Sequence, residues 1–188
     1  MTRFRRLAIS DVVEVLPPRQ GDHRGYFSEV YKAPDFAAEG LPTDWIQDNQ
    51  SLSATPGTVR GLHFQKPPTA QDKLIRVLRG AIWDVAVDIR QGSPTYGQWV
   101  GLELSAENFT QLLVPRGFAH GFMTLQPDTE VLYKVNAPYS REDEDAIRWD
   151  DPTLAITWPN QGGAVLSDKD RVAPFFADHQ PAFSYETR

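Results

Sequence analysis

Four side chains of this sequence could together move a proton on and off a carbon atom: His63, Lys73, Tyr133 and Asp170. A histidine can accept a proton near neutral pH, and a carboxylate beside it fixes which ring nitrogen carries the proton. A lysine can stabilise the negative charge of an enolate, and a tyrosine can return the proton. The set therefore suits proton abstraction next to a carbonyl group, provided that the fold brings the four residues together.

Three of these residues also have an ordinary structural explanation. His63 lies in an otherwise apolar segment and is one of four histidines, so it could be a core residue whose hydrogen bonds are satisfied. Lys73 could be a surface cation, and Tyr133 could be a half-buried aromatic residue with a satisfied hydroxyl. The residue types alone leave both interpretations open.

A metal site is a competing prediction. His120 stands in a Pro-x-Gly-x-x-His corner, residues 115–120, of a kind that contributes a metal ligand in some β-sandwich proteins. Those proteins also use a His-x-His pair, whereas the segment Leu62-His63-Phe64-Gln65 offers one imidazole. Because the remaining ligands are too few for a usual transition-metal set, we predict that the protein uses no metal and no cofactor.

The central stretch, residues 58–90, places Arg60, His63, Lys73 and Arg76 among apolar and β-branched neighbours. Buried charge is costly without a partner, so we predict an anionic ligand there. The whole chain has a net charge of −6 and a pI near 5.2. It lacks the basic excess of a general nucleic-acid or membrane-surface binder, so the expected ligand is small.

The length of 188 residues is enough for one sizeable core, and we predict a single domain over residues 1–188. The chain contains no cysteine, which excludes disulfides and thiolate metal sites. The first residues resemble neither a signal peptide nor a membrane-spanning segment, so the expected location is cytoplasmic.

Short segments with strand-like patterns recur about every ten residues, and helical periodicity is nearly absent. This pattern predicts an all-β sandwich or barrel. The predicted strands are an edge strand within residues 4–18 and strands at 26–31, 45–53, 58–65, 74–78, 81–89, 99–104, 111–114, 129–136 and 146–149. The other predictions are short helical turns at 33–40 and 105–108, a corner at 115–122, a charged loop at 140–145 and a loosely helical or irregular tail at about 171–188.

Two amides and two charged residues belong to the early strands. Gln47 and Asn49 alternate on one predicted strand, so they face the same side and could bond either backbone groups or a ligand. Arg24 lies in a turn-forming loop and could be an ordinary loop cation. Glu29 falls within the strand predicted at 26–31.

A series of motifs follows in order from about Arg24 to Asp170: Asp22-x-Arg24-Gly25-x-Phe27-x-Glu29, Gln47-x-Asn49-x-Ser51, Arg60-Gly-Leu-His-Phe-Gln65, Lys73-Leu-Ile-Arg76-Val77, Asp84-Val-Ala-Val-Asp88, Ser93-Pro-Thr95, Pro115-x-Gly-Phe-Ala-His-Gly-Phe122, Tyr133-Lys134 and Ser167-x-Lys169-Asp170. Each motif is weak alone. As an ordered set they closely resemble the dTDP-4-dehydrorhamnose 3,5-epimerase family.

This resemblance implies a dimeric, metal-independent jelly roll of the cupin class, with an N-terminal arm (about residues 1–30) that contacts the partner subunit. It implies a thymidine-diphospho-4-keto-6-deoxyhexose as substrate, whose ketone acidifies the hydrogens on carbons 3 and 5. By similarity, His63 would be the base and Asp170 would orient it. Lys73 would stabilise the enolate oxygen, and Tyr133 would return a proton from the opposite face of the ring.

The resemblance also implies a set of binding residues. By similarity, diphosphate and sugar would contact Arg24, Arg60 and His120, the nucleotide would contact Glu29, Gln47 and Asn49, thymine would stack on Tyr139, and further binding positions would be Phe27, Glu144 and Lys169. Arg24 and Glu29 would serve the neighbouring subunit's site, because the N-terminal arm reaches across the dimer.

The implied activity is inversion of carbons 3 and 5 of dTDP-4-dehydro-6-deoxy-D-glucose to give dTDP-4-dehydro-L-rhamnose, in dTDP-L-rhamnose biosynthesis. A mono-epimerase acting at carbon 3 or 5 alone and a 3,4-ketoisomerase on a related substrate are alternatives with similar enolate chemistry. A non-enzymatic sugar-binding jelly roll is a third, although it would have no use for all four proposed catalytic residues. The sequence leaves open the number of carbons inverted, the final sugar and the preferred nucleotide.

Overall fold

The computed structural model describes residues 1–159 and 163–185. In this part of the chain the strands are β1 (Arg3–Arg6), β2 (Val13–Leu16), β3 (Gln20–Asp22), β4 (Gly25–Phe27), β5 (Gln47–Ser53), β6 (Val59–Gln65), β7 (Lys73–Arg79), β8 (Ala81–Asp88), β9 (Arg90–Gln91), β10 (Trp99–Ser105), β11 (Gln111–Val114), β12 (Phe118–Thr124), β13 (Thr129–Val135), β14 (Glu144–Ala146) and β15 (Phe183–Ser184). The helices are α1 (Ala33–Ala38), α2 (Asp168–Arg171) and a single 3-10 turn at Phe176–Asp178. None of the helices in the described ranges is long and apolar enough to cross a membrane.

Two antiparallel sheets pack face to face. The six-stranded sheet has the order β1-β2-β11-β7-β13-β5, and the five-stranded sheet has the order β10-β8-β12-β6-β14. The core between them includes Ile75 and Val131 from the six-stranded sheet and Ile82 and Phe122 from the five-stranded sheet. The predicted all-β jelly-roll sandwich with short peripheral helices is therefore confirmed.

Strand β8 is apolar on both faces because both faces are buried. Successive residues of a strand point to opposite sides of the sheet. Ile82 and Ala86 pack between the sheets, whereas Val85 and Val87 pack on the outer face against a second cluster that includes Trp158. The C-terminal part of the chain thus covers the outside of the five-stranded sheet. By the same alternation, Asp84 points into the space between the sheets.

Helix α1 covers the outer face of the six-stranded sheet. Its one buried residue, Phe36, packs with Val13 from β2, Leu74 from β7 and Leu113 from β11. Pro34 lies in the first turn of the helix, where its fixed φ angle is favourable and its missing N–H is not needed. The short helix predicted at residues 33–40 is confirmed.

Two predictions for the N-terminal region need correction. The segment predicted as one edge strand within residues 4–18 forms two paired strands, β1 and β2, and β1 is the edge. The strand predicted at 26–31 is wrong beyond Phe27, because β4 pairs with β3 in a small hairpin that ends there. Glu29 therefore lies outside a strand.

Later boundaries also differ. Residues 115–122 are not only a corner, since β12 begins at Phe118 and pairs with both β8 and β6. The strand predicted at 146–149 is instead β14, which pairs with the end of β6 despite its acidic composition. Within the predicted tail, β15 pairs with β9, and residues 186–188 of that tail lie outside the described residues.

Candidate active site

A cavity of about 400 Å³ is lined by residues from both sheets and from the segment around α2. The four side chains predicted to be catalytic, His63, Lys73, Tyr133 and Asp170, all line it. A second cavity of about 190 Å³ adjoins the first, because His63, Lys73, Tyr133 and Glu144 line both. The fold therefore brings together residues that are more than a hundred positions apart in the chain.

A bulge in β6 turns both Arg60 and His63 towards the larger cavity. In a regular strand, residues three positions apart point to opposite faces. Opposite β12, however, Arg60 pairs with Phe122 and His63 pairs with His120, so β6 contains one residue more than β12 over this interval. The extra residue restores the same facing for the two side chains.

Two glycines make this bulge possible. A Cβ atom on Gly61 would lie 2.5 Å from the Cα atom of Gly121, which is closer than real side chains allow. Gly61 also has a φ angle of +141°, a conformation that other residues rarely adopt. The backbones of β6 and β12 therefore approach each other at a point where neither strand carries a side chain.

His63 is held by a carboxylate from α2. Its Nε2 atom lies 2.5 Å from Oδ1 of Asp170, and the hydroxyl of Ser167 donates to Oδ2 of the same carboxylate at 2.9 Å. Burial alone would raise the pKa of Asp170, but the bonds from His63 and Ser167 lower it overall. An ionised carboxylate can only accept hydrogen bonds, so Nε2 carries the proton and Nδ1 is the ring nitrogen that can take another.

Ser167 also fixes the position of Asp170 through the backbone. It is the N-cap of α2, and its hydroxyl oxygen accepts a hydrogen bond from the backbone N–H of Asp170 at 3.1 Å. The side chain thus begins the helix and bonds the carboxylate at once. Asp170 itself is buried, whereas the histidine that it holds lines the cavity.

Lys73 and Tyr133 come from the facing, six-stranded sheet. Tyr133 pairs with Ile75 and Val135 pairs with Lys73, which places the side chains of Lys73 and Tyr133 on one face. The Nζ atom of Lys73 reaches across the gap to the carbonyl oxygen of His63 at 3.3 Å. These two side chains therefore approach the cavity from the sheet opposite to His63.

The surroundings shift the pKa of both Lys73 and Tyr133. Desolvation lowers the pKa of Lys73 to about 8, although the negative charges of Asp84 and Glu144 act in the opposite direction. Desolvation also raises the pKa of Tyr133, against the positive charge of Arg60. Tyr133 is consequently a protonated donor at neutral pH, and Lys73 is an ammonium ion that loses its proton in mildly alkaline solution.

Strand β5 supplies the two predicted amides. Gln47 and Asn49 lie on the same face, as predicted, and both line the smaller cavity. The side-chain amide of Gln47 donates to the amide oxygen of Asn49 at 2.8 Å. Ser51 continues this face into the larger cavity.

Three predicted binding residues are linked at the rim of the cavities. The hydroxyl of Tyr139 donates to Oε2 of Glu144 at 2.9 Å, and Nζ of Lys169 lies 2.5 Å from Oε1. Burial would raise the pKa of Glu144, but the bonds from Lys169 and Tyr139 lower it overall. Tyr139 is 59% exposed, so its side chain is accessible to a ligand.

Of the four cations predicted to share one site, Arg76 does not belong there. Arg76 follows Lys73 by three residues in a regular part of β7, so it points to the other face of the sheet. Its guanidinium lies 5.6 Å from the centre of the Phe109 ring instead. The other three, Arg60, His63 and Lys73, all line the larger cavity.

The predicted binding residues of the N-terminal arm lie away from both cavities of their own chain. Arg24 pairs with Asp22 at 2.6 Å on the hairpin formed by β3 and β4, and Phe27 on the same hairpin is 67% exposed. Glu29 is also exposed and lies 3.9 Å from Lys32. None of these three residues lines either cavity of its own chain.

Several residues at the site were not predicted as site residues. Ser51 and Ser167 line the larger cavity, and each had a sequence signal. Ser51 stands two positions after Asn49 on the same strand face, and Ser167 stands three positions before Asp170 at the start of a helix. Thr58 and Val165 also line the larger cavity, but they had no such signal in the sequence. An isolated β-bridge between these two distant residues places them there.

His120, predicted to bind the ligand, also lines the larger cavity. Its Nε2 atom lies 2.7 Å from Oδ1 of Asp84, which is fully buried. Within residues 1–159 and 163–185, no group of three or more histidine or acidic side chains is arranged to hold a metal ion.

Comparisons with known proteins identify the family of the whole chain. The sequence matches the family model for dTDP-4-dehydrorhamnose 3,5-epimerase over residues 6–178. An epimerase of that name from Sinorhizobium fredii is 53% identical over 182 residues, which cover 97% of this chain and 93% of the relative. A crystal structure of an epimerase from Legionella pneumophila in complex with dTDP-4-keto-L-rhamnose matches with a TM-score of 0.95 and 39% identity, and covers 100% of both chains.

The structure of a mono-epimerase is also similar to this chain. A 3′-monoepimerase from Streptomyces bikiniensis, crystallised in complex with dTDP-quinovose, matches with a TM-score of 0.85 and 34% identity over 91% of this chain and 86% of that chain. The family model nevertheless spans most of the sequence, and several of the motifs that it covers contribute residues to the two adjoining cavities. The chain therefore belongs to the dTDP-4-dehydrorhamnose 3,5-epimerase family.

Proposed function

We propose that this protein inverts carbons 3 and 5 of dTDP-4-dehydro-6-deoxy-D-glucose and releases dTDP-4-dehydro-L-rhamnose. The observation that carries the proposal is the placement of a base and an acid on opposite sheets of one cavity. His63 comes from the five-stranded sheet and Tyr133 from the six-stranded sheet. A proton removed on one side of a sugar ring can thus be replaced from the other side, which inverts the carbon.

The proposed reaction begins at His63. Nδ1 takes the hydrogen from carbon 3 or 5 as a proton, and the electrons of the C–H bond form a carbon–carbon double bond with carbon 4. The carbonyl electrons move onto the oxygen, where the ammonium group of Lys73 stabilises the enolate. Asp170 stabilises the imidazolium ion that His63 becomes, as an ionised carboxylate at hydrogen-bond distance does.

The second half returns a proton to the opposite face of the same carbon. The hydroxyl of Tyr133 supplies it, the carbonyl reforms, and solvent reprotonates the phenolate and takes the proton from His63. The raised pKa of Tyr133 supports this role because it keeps the hydroxyl protonated before the transfer. The cavity of about 400 Å³ that His63 and Tyr133 both line has room for a sugar ring.

For ligand binding, we propose that Arg60 and His120 contact diphosphate and sugar, and that Gln47 and Asn49 contact the nucleotide. Their places in two adjoining cavities support this division, because each cavity accommodates one part of a long ligand. Tyr139 stacks on thymine in this proposal. Glu144 and Lys169, which are bonded to each other beside it, form the wall of the site.

Proton NMR in deuterium oxide tests the function directly. The purified protein is incubated with dTDP-4-dehydro-6-deoxyglucose and a chelator, and the signals of the hydrogens on carbons 3 and 5 are followed. Loss of both signals with inversion of both centres supports the proposal. Tight dTDP binding without exchange at either carbon contradicts it and favours a binding protein, and appearance of a 3-keto sugar favours a ketoisomerase.

A mono-epimerase is the second candidate, because a 3′-monoepimerase has a similar structure. The same experiment separates the two. Exchange with inversion at one carbon, while the hydrogen of the other keeps its signal, identifies the mono-epimerase and rejects the double inversion.

We further propose that the protein is a homodimer in which the N-terminal arm completes the partner's site. The position of Arg24, Phe27 and Glu29 supports this, since these predicted binding residues lie outside the cavities of their own chain and are exposed. An exposed phenylalanine and an exposed arginine on one hairpin suit contact with a nucleotide held by a second copy. A cytoplasmic location stays a prediction from the sequence.

Mixing two inactive variants is expected to restore activity. In a dimer of one Arg24→Ala chain and one His63→Ala chain, the first chain keeps His63 and receives intact Arg24 from its partner. One of the two sites is then complete, so co-expressed and doubly tagged heterodimers should regain about half of the wild-type turnover. Heterodimers that stay as inactive as the two parents would show that Arg24 serves its own chain.

A further inference from the structure

Asp84 is a buried carboxylate that the proposed reaction does not use. It lies in the middle of β8, is 0% exposed, and points between the sheets in phase with Ile82 and Ala86. A buried charge is unfavourable unless hydrogen bonds and opposite charges compensate it. Its presence among apolar residues therefore calls for a functional or structural reason.

The first contact of Asp84 leads to the cavity. Its Oδ1 atom accepts a hydrogen bond from Nε2–H of His120 at 2.7 Å, and His120 lines the cavity wall. The other carboxylate oxygen, Oδ2, is also buried and has no hydrogen-bond partner among the residues that the structure describes. A side chain that only had to hold His120 could be an asparagine, which accepts the same bond without a buried charge.

The second interaction of Asp84 is electrostatic and acts on Lys73, which lines the same cavity as His120 from the facing sheet. Desolvation lowers the pKa of Lys73 to about 8, and the negative charge of Asp84 is the larger of two influences that oppose this change. The other is Glu144 at the rim of the cavity. The charged or titratable groups that line the cavity with Lys73 are Arg60, His63, His120, Tyr133, Glu144, Lys169 and Asp170.

We propose that Asp84 is a positioning residue of this site: it orients His120 and provides the buried negative charge that balances the ammonium group of Lys73. The inference rests on the proposed epimerase function. Asp84 acts through these two residues and does not itself touch the substrate. In this view the enolate oxygen meets a charged Lys73 because a carboxylate lies behind the cavity wall.

The test is the pH dependence of kcat/KM for Asp84→Asn. Lys73 is active when protonated, so activity falls as pH rises through its pKa. Loss of the Asp84 charge removes an influence that raises this pKa, so the alkaline limb should move to lower pH by about one unit. Below the limb the variant should keep most of its turnover, because the amide oxygen still accepts the bond from His120. An unmoved limb would overturn the proposal.

Asp88→Asn is the matched control. Asp88 is also a fully buried carboxylate of β8, but it bonds to Arg90, Ser93 and Thr95 at the end of the strand. Its loss should lower the melting temperature without moving the alkaline limb, whose position does not depend on the amount of folded enzyme. If the limb moves equally in both variants, the shift is a general effect of removing a negative charge and is not specific to Asp84. This outcome would overturn the proposal.

A second measurement does not require turnover. The rate at which acetic anhydride modifies Lys73, followed by peptide mass spectrometry as a function of pH, reports the fraction of neutral amine. Asp84→Asn should shift this curve to lower pH by the same amount as the kinetic limb. A wild-type protein without epimerase activity would refute the proposed function, whereas an unshifted labelling curve would refute the role of Asp84.

Discussion

Replacing His63 with asparagine is expected to lower kcat by about 10²- to 10⁴-fold, the range that general acid–base catalysis contributes. The amide keeps a polar group of similar size beside Asp170 but cannot accept the proton. Affinity for dTDP should stay unchanged, because the removed function acts on the sugar. Turnover is measured by NMR, and dTDP affinity by calorimetry.

His179→Asn is a suitable control for this variant. His179 lies outside both cavities, stacks on Phe176, and bonds the carbonyl oxygen of Phe176 through Nδ1 at 2.8 Å. We expect its replacement to leave kcat unchanged. Normal turnover in His63→Asn would remove His63 from the mechanism, and loss of dTDP binding in the same variant would assign it a binding role instead.

Replacing Tyr133 with phenylalanine should separate two processes that occur together in the wild-type enzyme. His63 can still remove a proton and return one to the face from which it came. Hydrogen at carbon 3 or 5 should therefore continue to exchange with deuterium oxide, while inversion falls by about 10²-fold or more because the opposite face has lost its donor. The quantity to measure is the ratio of exchange to inversion at each carbon.

Tyr96→Phe serves as the control, since Tyr96 packs against Phe176 and lines neither cavity. Its ratio of exchange to inversion should equal that of the wild type. If Tyr133→Phe loses exchange and inversion in equal proportion, Tyr133 acts before the proton is removed. Inversion at the wild-type rate would mean that another group supplies the proton.

Much of the architecture was predictable because it follows from local patterns. Alternating or continuously apolar segments gave the sandwich, and the alternation of Gln47 and Asn49 placed both amides on one face. The candidate catalytic set came from residue types and from the ordered motifs. A strand pattern depends on neighbours along the chain, so it is readable without knowledge of the partner strands.

The parts that were not predicted depend on contacts between distant segments. Arg60 and Arg76 each differ by three positions from another cation, yet Arg60 shares a face with His63 while Arg76 does not share one with Lys73. The difference is the bulge in β6, which cannot be predicted from the spacing of the residues in the sequence. Likewise, the acidic strand β14 forms because β6 offers an edge, although its own residues have low strand propensity.

The role inferred for Asp84 has the same origin. Its motif is visible in the sequence, but its contact with His120 exists only because β8 and β12 are neighbours in one sheet. The role of a buried acid in a strand can be inferred only when its neighbours in the adjacent strand are known. For this reason the residue type of Asp84 alone does not indicate a role in the site.

The close approach of Gly61 and Gly121 limits how β6 can align with β12 during folding. A uniform strand can slide by two residues along its neighbour and still bury its apolar side chains, so such misalignments are hard to exclude. Here a slide of that size would bring Gly61 against Ala119 or Met123, where a side chain occupies the space that Gly121 leaves open. The close approach therefore disfavours such slides relative to the alignment that directs Arg60 and His63 into the cavity. The orientation of these two side chains is thus set by the fold of the chain itself.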